Sequence, residues 1–331
     1  MESTRRGMGE LLTDPDPDKA REFFRTQKKR AAVPKVTTVK EAVSRFVHDR
    51  DYLAIGGFGA NRVPVAVCHE IVRQRRRNLG FLGHTSTHDF QILAAGEVFD
   101  RCDVAYVVGL EARGLSPNAR RYLESGRVKC TENSNYGLAL RIKAAAMGVP
   151  FLPGRSMMGT GTFDRSPCIQ STCPFTGQTL TLHPAIYPDV AAIHVHEADP
   201  LGNCRVRGIS VADFELARAS KRLIITCERL VSTDVIRQDP TATVIPFYLV
   251  DAVCEVPYGS YPGCMAYEYF SDEEHLREWL NAEKDPERLK AFLDRNIFGV
   301  ADFNEYLALN GGVARMAHLR RKELLVQAAQ E

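Results

Sequence analysis

The sequence predicts an α/β domain with a mostly parallel sheet and helices on both faces, and three patterns predict it. From residue 35 onward, stretches of helical periodicity alternate with short apolar runs, and no low-complexity segment interrupts them. The apolar runs are continuous instead of alternating, which suits strands buried on both sides of a parallel sheet. Several runs end in glycine or polar residues just before the next helical stretch, the place where α/β folds present active residues.

Element by element, residues 1–34 form a polar extension containing Asp14-Pro15-Asp16-Pro17, Phe23-Phe24 and Lys28-Lys29-Arg30. It reads as a solvated, partly ordered arm; packing of Phe23 and Phe24 on a partner chain is the other reading. Residues 35–331 form one domain. Thr38 with Glu41 makes a capping box, and Val39, Ala42, Val43, Phe46 and Val47 recur behind it at helical spacing. The run 52–55 is a strand, and 64–73 is a helix with Pro64 in its first turn. Further strands are predicted near 79–82, 103–108, 128–131, 190–195, 223–227 and 249–256. The tail from residue 272 carries Leu276, Trp279 and Leu280, then Leu289, Phe292 and Leu293, then Phe303, Tyr306 and Leu307, which predicts helices wrapping the domain.

Bulk composition narrows the function classes. With 331 residues, 44% hydrophobic and 25% charged, the chain can bury a large core. Its 43 basic and 41 acidic side chains leave a net charge of only +2, too little for a nucleic-acid or membrane-surface binder. The charged N-terminal stretch offers neither a signal peptide nor a membrane span, so a cytoplasmic protein is expected. Nine scattered cysteines fit a reducing compartment.

Few residues carry candidate chemistry. Gly56, Gly57, Phe58, Gly59 and Asn61 join a strand to a helix, where backbone N–H groups can receive an oxyanion or phosphate; a plain tight turn is the alternative. The dinucleotide fingerprint and the phosphate-binding loop are both absent. Glu132 follows a strand and precedes a helix, so it reads either as a site carboxylate or as a helix cap or arginine partner. His194 and His196 share one strand face, but the acids that follow fall out of reach, so no metal site is predicted and satisfied strand-end histidines are the better reading. His84 and His88 flank Thr85-Ser86-Thr87 and either line a pocket or sit in a surface loop. Arg62, Arg205 and Arg207 are the arginines assigned to anionic groups, Arg62 foremost because it abuts the glycine turn. Cys130 and Cys227 lie in apolar contexts and read as structural, and no serine elbow is present.

The segment D-R-D-Y-L-A-I-G-G-F-G-A-N-R-V-P over residues 49–64 resembles the signature of family I CoA-transferases: a polar turn, three apolar residues, Gly-Gly-Phe, then a spaced glycine and proline. Arg50 and Arg62 depart from that signature, although Arg62 is similar to what the A-type chains of glutaconate CoA-transferases carry. The resemblance continues through Met158-Gly159-Thr160-Gly161, Asp199-Pro200-Leu201-Gly202-Asn203, Thr226-Cys227-Glu228 and Pro257-Tyr258-Gly259-Ser260-Tyr261-Pro262.

That resemblance implies a CoA-transferase fold and a reaction through a glutamyl nucleophile that attacks an acyl-CoA thioester. The nucleophile belongs to the family's B-type half, whose Ser-Glu-Asn-Gly-like turn is missing here. It therefore implies a B-type partner chain, an α2β2 or larger assembly, acyl-CoA and carboxylate substrates, and coenzyme A as substrate with no tightly bound cofactor. In this frame Gly56, Gly57, Phe58, Gly59, Asn61 and Arg62 form an oxyanion or acyl-CoA wall. His84, Asn133, Gly159, Gly161, Tyr258 and Gly259 are pocket candidates. Glu132 also resembles the proposed base of steroid ring-cleaving hydrolases on the same fold, so hydrolysis or carbon–carbon cleavage is a second expectation and a non-catalytic CoA-binding scaffold a third.

Overall fold

Local chemistry sets the element boundaries. The Thr38 hydroxyl accepts from Glu41 N–H at 3.1 Å while Glu41 Oε2 accepts from Thr38 N–H at 3.3 Å, so the predicted capping box does start a helix. In this computed structural model, which describes residues 5–107, 109 and 112–328, the first elements are α1 (Pro17–Thr26), α2 (Val39–Phe46), β1 (Tyr52–Ile55), α3 (Val65–Arg73), β2 (Leu79–Thr85), α4 (His88–Ala95), β3 (Phe99–Tyr106), α5 (Pro117–Glu124), β4 (Lys129–Glu132) and α6 (Asn135–Met147). Next come β5 (Phe151–Gly154), the short α7 (Gly161–Asp164), β6 (Ile169–Thr172), β7 (Thr179–Pro184), β8 (Val190–Ala198), β9 (Cys204–Arg205), α8 (Asp213–Ala219), β10 (Arg222–Leu230), α9 (Thr233–Gln238) and β11 (Ala252–Glu255). The chain closes with α10 (Glu273–Ala282), α11 (Pro286–Leu293), α12 (Phe303–Leu309) and α13 (Gly312–Ala328).

Seven strands form one parallel sheet in the order β11-β10-β8-β1-β2-β3-β4, with β9 antiparallel on β8. β1 is central, with Leu53 opposite Phe81 on one side and Val190 on the other. The period of two along β1 divides its residues between two cores. Leu53 and Ile55 join the cluster with α2, α3, α4 and the C-terminal helices, whereas Tyr52 and Ala54 join the cluster with α6 and α8. Helices therefore cover both faces, as the sequence predicts. The tail packs as expected too: Trp279, Leu289, Leu293, Phe303 and Tyr306 all enter the first cluster.

The structure departs from the sequence reading in four places. Residues 247–249 form a 3-10 turn, so the strand predicted over 249–256 shortens to 252–255. A second, antiparallel sheet of order β5-β7-β6 escapes the sequence reading because its strands are short and carry Pro153 and Pro184. Residues 5–33 also lie along the domain: Arg6 bridges Ile169, Arg5 pairs with Asp164 at 2.5 Å, and Lys28 pairs with Asp251 at 2.5 Å. The predicted strand 103–108 starts earlier, at Phe99, and its last residue, Val108, is outside the described residues. Among the described residues no helix is long and apolar enough to cross a membrane.

Strand order places the site. The chain runs outward through β2, β3 and β4, then returns to β8 on the other side of β1. The carboxyl ends of β1 and β8 therefore flank the topological switch point, where open α/β sheets bind ligands.

Candidate functional site

The turn after β1 occupies that switch point. A Cβ on Gly56 would stand 2.7 Å from Asp213 Oδ1, and Gly57 has φ +96°, so neither position accepts a larger residue without rearrangement. Gly57 N–H donates to Asp213 Oδ1 at 2.9 Å. Arg62 is 0% exposed; its Nη1 donates to Asp213 Oδ2 at 2.5 Å and its Nη2 to the Ile209 carbonyl at 2.5 Å. The sequence reading set Arg62 against a substrate anion, but the structure turns its guanidinium inward, where a buried cation requires a buried carboxylate. Arg62 ties the turn to α8 and to the loop before it.

Most of the turn's backbone donors are also engaged internally. Gly56 N–H donates to Ala192 O at 2.8 Å, Phe58 N–H to Asn61 O at 2.9 Å, Asn61 N–H to Phe58 O at 3.0 Å and Gly59 N–H to Thr85 O at 2.9 Å. The open array of N–H groups expected from the glycines is thus largely closed. Asn61 Oδ1 accepts from Ala266 N–H at 3.2 Å, which orients Nδ2 the other way. Among the described residues, Ala60 N–H and Asn61 Nδ2 have no acceptor in the chain. Gly57, Phe58 and Asn61 are half-buried and form the outward side of the turn.

The next strand ends extend this edge. Thr87 Oγ1 donates to Gly59 O at 2.7 Å, and Asn135 Nδ2 donates to Thr85 Oγ1 at 3.3 Å, which links the turn to α6. His84 Nδ1 meets Thr85 Oγ1 at 3.0 Å, while its buried Nε2 has no partner. Burial holds the His84 imidazole below its ordinary pKa, so it is neutral near pH 7. His88 instead points into the fold, edge-on to Trp279 at 4.9 Å, so only His84 of the two remains at the edge.

Glu132 ends β4, three strand spacings or about 14 Å from β1. Its Oε1 accepts from Arg165 at 2.8 Å, with the two side chains 36% and 72% exposed. Ser134, not Glu132, caps α6, by accepting from Gly137 N–H at 2.9 Å. Below Glu132 lies a buried network that sequence reasoning missed. Asp103 accepts from Tyr52 OH at 2.5 Å, from Thr131 Oγ1 at 2.5 Å and from Arg141. Arg141 also donates to Asn133 Oδ1 at 3.3 Å, so Asn133 serves this network from a site 4% exposed.

On the other flank, His194 bonds Thr226 Oγ1 at 2.8 Å and Glu228 Oε1 at 2.7 Å, and His196 bonds the Ala266 carbonyl at 2.8 Å. Both histidines are engaged within the fold, and among the described residues no cluster of three potential ligands could hold a metal. Glu228 also accepts from Tyr258 N–H at 2.7 Å and from Tyr269 OH at 2.8 Å. A Cβ on Gly259 would lie 2.7 Å from His194 Cε1, so Tyr258 and Gly259 are seated on this network. Gly159 lies in an exposed loop and Gly161 opens α7 just after it, both with open space around them, and Ser156 of the loop meets Ser134 Oγ at 2.5 Å. Arg205 and Arg207 both face Glu197 at 3.5 Å, so neither is an unpaired cation. Cys227 is buried and its thiol is pushed up by desolvation, whereas Cys130 is exposed on the edge strand, contrary to the apolar setting read for it. Tyr52, Arg62, Thr226, Glu228 and Tyr258 fall inside motifs singled out from the sequence; Asp213, Asp103 and Arg141 carry no local signal.

The glycine turn is braced at the carboxyl edge of a mostly parallel α/β sheet, at its switch point. The chain belongs to the coenzyme A transferase family, which matches residues 36–256. It is 32% identical to the A-type subunit of glutaconate CoA-transferase from Acidaminococcus fermentans over 303 residues, covering 86% of this chain and 94% of the relative. The crystal structure of glutaconate coenzyme A-transferase from that organism superposes with a TM-score of 0.82 at 31% identity, covering 86% of this chain and 95% of the other. The A-type subunit of 3-oxoadipate CoA-transferase from Pseudomonas knackmussii is 33% identical over 82% of this chain and 96% of its own length. A cholesterol ring-cleaving hydrolase IpdA subunit from Rhodococcus jostii is 27% identical over 76% of this chain and 88% of its own.

Proposed function

We propose that this chain is the A-type member of a two-subunit, cytoplasmic acyl-CoA:carboxylate CoA-transferase acting on mono- or dicarboxylic acid CoA thioesters. Its B-type partner supplies the nucleophilic glutamate, in an α2β2 or larger assembly. One observation carries the reading: the switch-point turn is braced on every side yet leaves Asn61 Nδ2 as an uncommitted donor on its outward face. A fixed donor at such an edge suits an acyl oxygen that gains charge during thioester attack. Two of the relatives are named as A-type members of CoA-transferases, which favours the same reading.

In this scheme the partner's carboxylate attacks the thioester carbonyl and expels CoA thiolate, leaving a mixed anhydride. The thiolate attacks the glutamyl carbonyl of that anhydride and releases the first carboxylic acid as its anion. The incoming carboxylate then takes the acyl-bound CoA by the reverse sequence. This chain contributes the wall at Gly57 and Phe58, the donor at Asn61 and the neutral imidazole of His84 on the adjoining strand end. Glu132, held by Arg165, is no part of the nucleophilic step.

The test is intact mass of the two co-purified chains after incubation with acyl-CoA thioesters, before and after borohydride reduction. A CoA-sized gain on the partner that reduction removes supports the proposal. Absence of any adduct, with acyl-CoA loss that disappears in Glu132→Ala, would replace it with hydrolysis or cleavage based on Glu132.

A further inference from the structure

At the opposite end of the sheet, the N-terminal arm closes over the starts of β10 and β11 and leaves a groove of about 720 Å³. Six cationic side chains line it (Lys28, Lys29, Lys35, Arg45, Lys221, Arg222) against one carboxylate, Asp251. Three of the six are neutralised: Lys28 by Asp251 at 2.5 Å, Lys221 by Asp189 at 2.8 Å and Arg222 by Asp51 at 2.7 Å. Lys35 donates only to a carbonyl, that of Phe247, at 2.6 Å. Lys29 and Arg45 have no carboxylate partner among the described residues. Three cations, two from the segment between α1 and α2 and one from α2, thus share one concave space in which the single carboxylate, Asp251, is paired with Lys28. Burial pushes the Lys35 amine below its ordinary pKa, against the opposing pull of Asp251 and with a smaller push from the Lys28 charge, a strain that a bound anion would relieve.

Apart from Gln27 and Thr37, the rest of the lining is apolar. Phe23 and Phe46 contribute rings, with the Arg45 guanidinium 4.9 Å from the Phe46 centroid, and Val33 and Val36 remain 51% and 48% exposed beside them. A phosphate ion alone would leave this half of the groove empty. A flat ring joined to phosphates would fill both halves, and the volume lies within the range of small-molecule sites. The groove opens at the strand starts and the 56–62 turn at the strand ends: Arg222 and Leu53 both lie opposite Val190, so about three residues, or about 10 Å, separate the two along the strands, with two strand spacings between β10 and β1. Its Phe23, Lys28 and Lys29 belong to the extension, outside the segment that matches the family.

We propose that this groove is a second ligand site that binds a phosphorylated nucleoside, with the phosphates on Lys29, Lys35 and Arg45 and the ring between Phe23 and Phe46. Two sources share that chemistry, a free nucleotide and the nucleotide end of coenzyme A.

Calorimetric titration of the full chain with ADP, coenzyme A, adenosine and pyrophosphate tests this, together with the variant Lys29→Glu/Arg45→Glu. Both substituted side chains are exposed and neither bonds to the turn, so the melting temperature should stay unchanged. The expected result is saturable ADP binding, tighter than either adenosine or pyrophosphate, that weakens at least tenfold in the variant. Coenzyme A that displaces ADP and loses affinity in the same variant identifies its nucleotide end as the source; failure to displace ADP identifies a free nucleotide. Absence of saturable binding by both, equal affinity in the variant, or pyrophosphate binding as tightly as ADP would overturn the proposal.

Discussion

Replacing Asp213 with alanine removes the only carboxylate that, among the described residues, meets the Arg62 guanidinium, which is 0% exposed. Breaking a buried ion pair at one partner costs about 3–5 kcal/mol, because the remaining charge stays desolvated. Gly57 N–H loses its acceptor in the same substitution, and an unsatisfied buried donor adds about 1–3 kcal/mol. Against a total stability of about 5–15 kcal/mol, Asp213→Ala should lower the urea midpoint severely. The companion Arg62→Met leaves Asp213 with Gly57 N–H as its remaining donor and should also cost a few kcal/mol. The double substitution removes both charges, retains the Gly57 defect and an Ile209 carbonyl without its donors, and should be more stable than Asp213→Ala alone. Urea unfolding of all four proteins, followed by circular dichroism, provides the cycle. Additive losses, or a loss below about 1 kcal/mol in Asp213→Ala, would refute the view that the pair braces the turn.

Asn61→Asp keeps the oxygen that accepts from Ala266 but replaces the outward amide donor with a carboxylate; the transfer rate of the assembled enzyme should fall about 10²-fold or more while urea stability changes little. Glu132→Ala breaks a partly exposed ion pair, so it should cost less than about 1 kcal/mol in unfolding and leave transfer activity within a fewfold of the parent. Glu283 is 0% exposed, and burial pushes its carboxyl up to about 7, above the 4.5 of an exposed glutamate. The folded state therefore binds the proton more tightly, and the stability this contributes is complete below pH 4.5 and is lost as pH rises through about 7. Stability measured from pH 4 to 8 should fall by roughly 2–3 kcal/mol from this group, and Glu283→Gln should flatten that fall. A profile that Glu283→Gln leaves unaltered would place the titration elsewhere.

What was legible in the sequence depended on the range of the interaction. Periodicity in β1, α3 and the tail helices is set by which face meets the core, so a window of a few residues contains it. The β5-β7-β6 sheet shows no such apolar pattern: the buried positions of β7 are the polar Thr181 and His183, Ile169 and Gln170 are both half-buried, and prolines stand in β5 and at the end of β7. The glycine turn could be recognised because Gly56 and Gly57 answer a backbone requirement within their own loop. The direction of Arg62 could not, because its carboxylate lies 151 residues further along the chain. The same holds for His194, whose partners Thr226 and Glu228 sit on a neighbouring strand 32 and 34 residues away. A charged residue read without its partner looks available to a ligand, and the three arginines assigned to anions proved to have acids beside them.

These pairings also explain why so much charge is buried beneath one edge of the sheet. Asp213 with Arg62, Asp103 with Arg141 and Glu228 with His194 lie below the strand ends of β1, β4 and β10, and each joins elements distant in sequence. Apolar side chains of similar volume would hold the same elements at equal or lower desolvation cost. What apolar packing does not supply is direction: Asp213 orients Gly57 N–H, Arg141 orients Asn133, and Glu228 orients Tyr258 N–H. A donor contributes to a charge-developing step in proportion to how little it must reorganise. The buried pairs therefore trade some core stability for a carboxyl edge whose backbone is already set before substrate arrives, and substitutions in them should lower catalytic rate even where the fold survives.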